Sequence, residues 1–191
     1  MDLLVDFSNP EFLKALICIA INPLYWNIVA QLEYYTHAVS KVFCSSKKLS
    51  VTVLATSIIL LNVLRTYQFE EAIKTQAKFS PDFAILTYLG YLLILLGQFF
   101  TLTSFYKLGF YATFLADHFG LFIHDAPITT FPFNFMSDPM YWGSTISYLG
   151  IALSQSSPAG LVLTLWVAFI YKLAITQESK MLNLIYSKKQ G

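Results

Sequence analysis

The sequence predicts an all-α, polytopic integral membrane helical bundle with an N-terminal kinked or intramembrane helix. Three observations carry that prediction. Of 191 residues, 56% are hydrophobic and only 12% are charged, against about 25% charged in an ordinary soluble domain. Mean hydropathy is +0.58. The charge deficit runs the whole length of the chain, and uncharged apolar runs recur at membrane-spanning length, so residues 1–191 read as a single membrane-embedded domain.

A hydrocarbon core of about 30 Å takes about 20 apolar residues of helix. Segment 15–32 is uncharged but interrupted by Asn22-Pro23, where proline removes a helix hydrogen bond. It reads either as a kinked span or as a helix pair dipping into one leaflet. Segment 49–64 is strongly apolar, and Arg65 marks its edge. Segment 83–106 carries no charge and is the clearest span. Segment 141–153 is too short to cross upright, and Ser154-Gln155-Ser156-Ser157-Pro158 reads as the turn after it. This predicts a hairpin with the last span, 158–176, whose Lys172 can snorkel toward headgroups.

Lysine and arginine positions constrain orientation. Segment 65–82, carrying Arg65, Lys74 and Lys78, and the tail with Lys180, Lys188 and Lys189 read as cytosolic. The connector with Lys41, Lys47 and Lys48 then falls on the opposite side of one crossing, against the same rule. Lys14 leads into an apolar run, but no small-residue cleavage site follows before Asn22-Pro23, so no cleavable signal is expected.

Other classes are argued against by composition. A net charge of +1 does not favour nucleic-acid binding. Cys18 and Cys44 stand far apart with no metal-ligand spacing around them, and read as free, buried thiols. No serine-histidine-aspartate order, metal cluster or phosphate-cradling glycine loop is present.

Functional signals concentrate in 131–145, where aromatics, two prolines, an amide, a carboxylate and hydroxyls crowd into fifteen residues. Irregular backbone cannot face lipid at membrane depth, so this stretch must lie at the interface or line a cavity. Asn22-Pro23-Leu24-Tyr25-Trp26 and Asp138-Pro139-Met140-Tyr141-Trp142 share one pattern. In each, proline can open a helix with the preceding residue as N-cap, presenting a Tyr-Trp pair in the first turns. Such pairs serve an aromatic belt or a cation-binding cage, and Gly143, Ser144 and Thr145 after the second copy allow close approach of a helix or ligand. Asp117-His118, ionisable between apolar neighbours, is a functional candidate or an interfacial pair. His37 and His124 read as solvated, Glu33 as an apolar-segment end, and Glu178 as surface decoration or a ligand carboxylate.

Taken together these residues resemble the phospholipid N-methyltransferase family of the endoplasmic reticulum. The likeness runs from Asn22-Pro23-Leu24-Tyr25-Trp26-Asn27 to the final span. It is most specific in Phe131-Pro132-Phe133-Asn134, Pro139-Met140-Tyr141-Trp142-Gly143-Ser144-Thr145 and Tyr148-Leu149-Gly150, with Lys107-Leu108-Gly109, Asp117 and Phe119-Gly120 in support. The resemblance implies S-adenosylmethionine-dependent N-methylation of phosphatidylethanolamine, or its partly methylated forms, toward phosphatidylcholine. It implies a multi-pass endoplasmic reticulum protein whose acceptor comes from the bilayer.

The family's Gly-x-Gly cofactor signature falls on Leu95-Leu96-Gly97, and its paired glutamates on Glu178-Ser179. Those five positions are the cofactor-binding candidates. Asp117, His118 and Tyr141 are the catalytic candidates, and Tyr25, Trp26, Trp142 and Ser144 are the acceptor-binding ones. Both cofactor motifs are half present, so a lipid-binding paralogue with weakened catalysis stays open. So does a carboxyl methyltransferase of prenylated cysteine, although the 131–145 block favours the phospholipid family.

Overall fold

The computed structural model describes residues 4–79, 84–125 and 128–190. Helix α1 spans Pro10–Thr36, α2 Ala38–Val42, α3 Lys47–Lys74, α4 Ala84–Thr113, α5 Pro139–Ser154 and α6 Pro158–Gln190, with a 3-10 turn at Ala116–Phe119. Four helices (α1, α3, α4 with the turn, and α6) are long and apolar enough to cross a membrane, giving a multi-pass helical bundle. Phe83, the first residue of one expected span, lies outside the described residues.

Helix α1 opens at Pro10, with the Asn9 side chain accepting from the Glu11 and Phe12 amides. Proline at the first turn loses no helix bond. The expectation that Asn22-Pro23 opens a helix does not hold, because α1 runs through Pro23 without a break. Proline there lacks the N–H that would bond the Ile19 carbonyl, and polar side chains pair beside it. Asn27 Nδ2 bonds the Pro23 carbonyl at 3.0 Å, and the buried Asn22 reaches Asn62 of α3 at 3.0 Å. The second copy behaves as expected: α5 begins at Pro139, after Asp138.

Helix α3 corrects a second expectation. Arg65 does not end an apolar segment; the helix continues to Lys74 and Arg65 is buried inside it. Glu33, at the end of α1, is fully buried. Its carboxylate accepts from the Ser40 amide at 3.0 Å and from the Ser40 hydroxyl, which folds α2 back against α1.

Helices α5 and α6 form the expected hairpin, but the closest packing of α5 is on α4. A Cβ at Gly143 would lie 2.6 Å from the Gly97 carbonyl, and one at Gly150 would lie 2.5 Å from the Gly90 carbonyl. The two glycine pairs are seven residues apart on both helices, two turns in each, so the backbones meet along one line. Lipid tails are as apolar as leucine, so such close packing, more than hydrophobic burial, holds membrane helices together.

The connections fix the two ends of the bundle. Phe79 donates to the Ser156 carbonyl at 2.8 Å, and the Asp6 amide meets Gln76 at 2.8 Å, so the N-terminus, 75–79 and 155–157 share one end. The α1–α3 connector, residues 114–125 and 128–138, and the distal part of α6 share the other. There Phe122 packs on Tyr186 and Lys188 lies over Tyr34. The tail and 75–79 therefore lie at opposite ends, contrary to the expectation that both are cytosolic. The conflict over Lys41, Lys47 and Lys48 disappears with it: they join Lys107, Lys180 and Lys188 at one end, which the charge rule assigns to the cytosol. Both cysteines are free, but neither is fully buried: Cys18 is partly exposed, and Cys44 is exposed at this end. His124 is not simply solvated, since its Nε2 lies 3.0 Å from the Leu108 carbonyl.

Candidate functional site

Three helices converge on one carboxylate. Glu178 lies on α6 on the same stripe as Tyr171, Ala174, Met181 and Ile185, spaced three and four apart as one helix face requires. Its Oε1 accepts from Trp26 Nε1 of α1 at 2.7 Å and from the Tyr141 hydroxyl of α5 at 2.5 Å. The Trp26 and Tyr141 rings stand 6.4 Å apart, and Tyr141 meets Tyr171 edge-on at 4.9 Å. Glu178 thus sits at the polar edges of two aromatic rings, with Tyr171 packed against the second.

The network continues inward. Tyr171 accepts from Arg65 Nη1 at 2.6 Å, and its hydroxyl is 3.1 Å from Ser144 Oγ. Tyr148 accepts from Arg65 Nε at 3.1 Å and lies 2.9 Å from Thr66 Oγ1. The guanidinium carbon is 5.2 and 5.3 Å from the Tyr148 and Tyr171 ring centroids. Cation–π contact of this kind contributes about 2 kcal/mol or more when desolvated. A buried cation and a carboxylate are joined here by neutral phenols.

Of the residues singled out in the sequence, Trp26, Tyr141, Ser144 and Glu178 come together. Helix α5 makes this possible, turning Tyr141, Ser144 and Tyr148 toward α1, α3 and α6 while Gly143, Ser147 and Gly150 face α4. The other candidates lie elsewhere. Tyr25 bonds Ser57 at 2.8 Å between α1 and α3, and Trp142 is half exposed on the outside. Gly97 is buried, but its open side is filled by Gly143 and Ser147 of α5, which stands between Gly97 and Glu178. Leu95 and Leu96 are exposed on the outer face of α4, and Ser179 is exposed on α6.

Asp117 and His118 lie in the 3-10 turn. The Asp117 carboxylate accepts from Tyr186 at 3.2 Å. His118 is buried, and its Nδ1 has no hydrogen-bond partner among the described residues. Among the described residues, no hydrogen bond joins this turn to the Glu178 cluster. The 131–136 stretch packs on α4, with Phe131 and Phe135 against Phe99 and Phe100 at 5.9–6.3 Å.

Arg65, Tyr148 and Tyr171 are the members that sequence reasoning did not assign. Arg65 had a signal, a charge next to an apolar run, but the same signal marks a membrane edge. Tyr171 is one of many aromatics in an apolar helix, and nothing in its neighbourhood distinguishes it.

A family model described as phospholipid methyltransferase matches residues 85–189. The chain is 44% identical over 186 residues to phosphatidylethanolamine N-methyltransferase of Homo sapiens, covering 97% of this chain and 92% of that protein. It is 43% identical to the Rattus norvegicus protein of the same name, with the same coverage. Phosphatidyl-N-methylethanolamine N-methyltransferase of Saccharomyces cerevisiae is 40% identical over 190 residues, 97% of this chain and 89% of that one. No solved structure matches the chain.

Proposed function

The chain belongs to the phospholipid methyltransferase family, and from that premise we propose that it methylates the amine of phosphatidylethanolamine or its mono- and dimethyl forms, toward phosphatidylcholine. The methyl donor is S-adenosylmethionine, and the protein works as one domain, 1–191, in the endoplasmic reticulum membrane. The observation that carries this reading is Glu178, a carboxylate held by the Trp26 indole N–H and the Tyr141 hydroxyl at the edges of two aromatic rings. Negative charge beside aromatic rings suits cationic ligands, and both donor and acceptor bring positive charge.

When bound, S-adenosylmethionine supplies an electrophilic methyl group on a cationic sulfur. The chain's residues have three tasks around it. Glu178 holds positive charge through the carboxylate that Trp26 and Tyr141 orient. The ring faces of Trp26, Tyr141 and Tyr171 stabilise the nitrogen as it gains fixed charge, each by about 0.5–2 kcal/mol. A base takes the ammonium proton so that the nitrogen lone pair is free, and His118, buried with an Nδ1 that has no partner among the described residues, is the candidate. Asp117 positions this turn through Tyr186. Gly97 acts indirectly, by letting α5 seat against α4 and so placing Tyr141.

The test is transfer of labelled methyl from S-adenosylmethionine to phosphatidylethanolamine and to its mono- and dimethyl forms by the full chain in lipid vesicles. Prenylcysteine methyl acceptor serves as the contrasting arm. Labelling of the phospholipids is the expected result, and labelling of prenylcysteine alone overturns the reading. Colocalisation with an endoplasmic reticulum marker checks the compartment.

A further inference from the structure

Arg65 is a charged group deep in a membrane domain, and an intramembrane ion is by default functional. Only 4% of it is exposed. A guanidinium offers five N–H donors. The hydrogen bonds of Arg65 to other side chains are to two phenols, Tyr148 and Tyr171, and no carboxylate pairs with it among the described residues. A buried cation held only by neutral groups is costly, because desolvation is not offset by an opposite charge. A purely structural hydrogen-bonding role would be served by a neutral amide at lower cost. The charge therefore calls for an anion that the chain itself does not place there.

The surroundings say what kind of ligand brings it. Tyr171 bonds Arg65, while Glu178 lies two helical turns further along the same face of α6, about 10 Å away along the axis. Tyr141 spans the interval, with its hydroxyl on Glu178 and its ring on Tyr171. One end of this aromatic-lined stretch is cationic and the other anionic. That polarity complements a zwitterion.

We propose that Arg65 is an oxyanion-binding residue: its guanidinium receives the anionic group of a zwitterionic ligand whose positive charge lies toward Glu178, Trp26 and Tyr141. Two ligands of the proposed reaction have this chemistry, the acceptor through its phosphodiester and the donor through its amino-acid carboxylate. The inference rests on the methyl-transfer reading for the identity of these ligands. A planar fork matches either oxyanion with paired hydrogen bonds, which lysine cannot reproduce.

Binding to the full chain in lipid vesicles tests this without requiring turnover. Wild type, R65K and R65Q are each titrated with S-adenosylmethionine and its decarboxylated form, and with phosphatidylethanolamine and its phosphate methyl ester. Neutralising the recognised anion is expected to weaken binding to the wild type at least tenfold. R65Q should weaken binding of the parent ligand by a similar factor and be indifferent to that neutralisation, with R65K between. Sensitivity to the methyl ester assigns the phosphodiester; sensitivity to decarboxylation assigns the carboxylate. Wild-type affinity that is unchanged by both neutralisations overturns the proposal. So does an R65Q protein that still discriminates between parent and neutralised ligands. If R65Q does not insert as a monodisperse protein, the wild-type and R65K titrations decide by the same comparison. Absence of methyl transfer by the wild type is a separate result and bears on the function, not on Arg65.

Discussion

Tyr141 donates to Glu178 across 2.5 Å, joining the first turn of α5 to the distal part of α6. Trp26 of α1 donates to the same oxygen at 2.7 Å, so one carboxylate oxygen ties together three helices. Residues 26, 141 and 178 are placed by packing far from their own sequence neighbourhoods. Disturbance of any helix in this trio should register at the site.

Glu178→Gln keeps the shape but removes the charge. Hydrogen bonds to charged groups contribute about 1.5–3 kcal/mol, so S-adenosylmethionine affinity should fall about ten- to a hundredfold in equilibrium titration. The Michaelis constant for phospholipid should change much less. A variant with normal donor affinity and impaired lipid use would place Glu178 on the acceptor side.

Tyr141 has two separable functions. Tyr141→Phe removes only the hydroxyl held by Glu178, whereas Tyr141→Leu also removes the ring. If the π face stabilises positive charge, the leucine variant should lose clearly more turnover than the phenylalanine variant. Equal losses would assign the whole effect to the hydrogen bond.

Gly97→Ala puts a methyl group into the backbone and side chain of α5 at Gly143 and Ser147. Overpacking of this kind costs about 1–3 kcal/mol, so thermal unfolding in detergent should shift downward. Leu95→Gly instead changes an exposed position. It should leave donor affinity unaltered while costing about 1 kcal/mol of helix stability. Tighter donor binding in Leu95→Gly would show that the outer face of α4 belongs to the cofactor site.

His118→Gln tests the proton acceptor. The expected result is a lower kcat with unchanged donor affinity, partly recovered at higher pH where less of the amine is protonated. A lower melting temperature with normal kcat would make His118 a packing residue.

Cys44 is exposed in the connector after α2. A membrane-impermeant thiol reagent should therefore label it from the same side on which a C-terminal epitope is detected. Labelling from opposite sides would contradict the arrangement of the bundle ends.

Much of the fold was legible because uncharged apolar runs stand out by themselves, bounded by charges or by proline-containing turns. The short α5 and its proline start were readable for the same reason. Arg65 was misread because a charge at the end of an apolar run looks alike whether the helix stops or turns its charge into a protein interior. Pro23 was misread because a proline inside a long helix and a proline that opens one look alike in sequence, and the Asn22–Asn62 pair beside it joins residues of two different helices. In the site, Trp26, Tyr141, Ser144 and Glu178 stood out by motif. The neighbours Tyr148 and Tyr171, and the role of α5 in separating Gly97 from Glu178, follow from tertiary packing that no local pattern encodes.

The shortness of α5 bears on the bilayer itself. Its sixteen residues extend about 24 Å, some 6 Å less than a typical hydrocarbon core. A membrane adapts to a short apolar element by thinning beside it, at a fraction of a kcal/mol per ångström. Because Tyr141 lies in the first turn of α5, thinning at that end draws the lipid–water boundary down toward the Glu178 carboxylate. Hydrophobic mismatch would then shorten the climb that a headgroup amine makes out of its leaflet, and methylation rate should depend on acyl-chain length even when the headgroup is held constant.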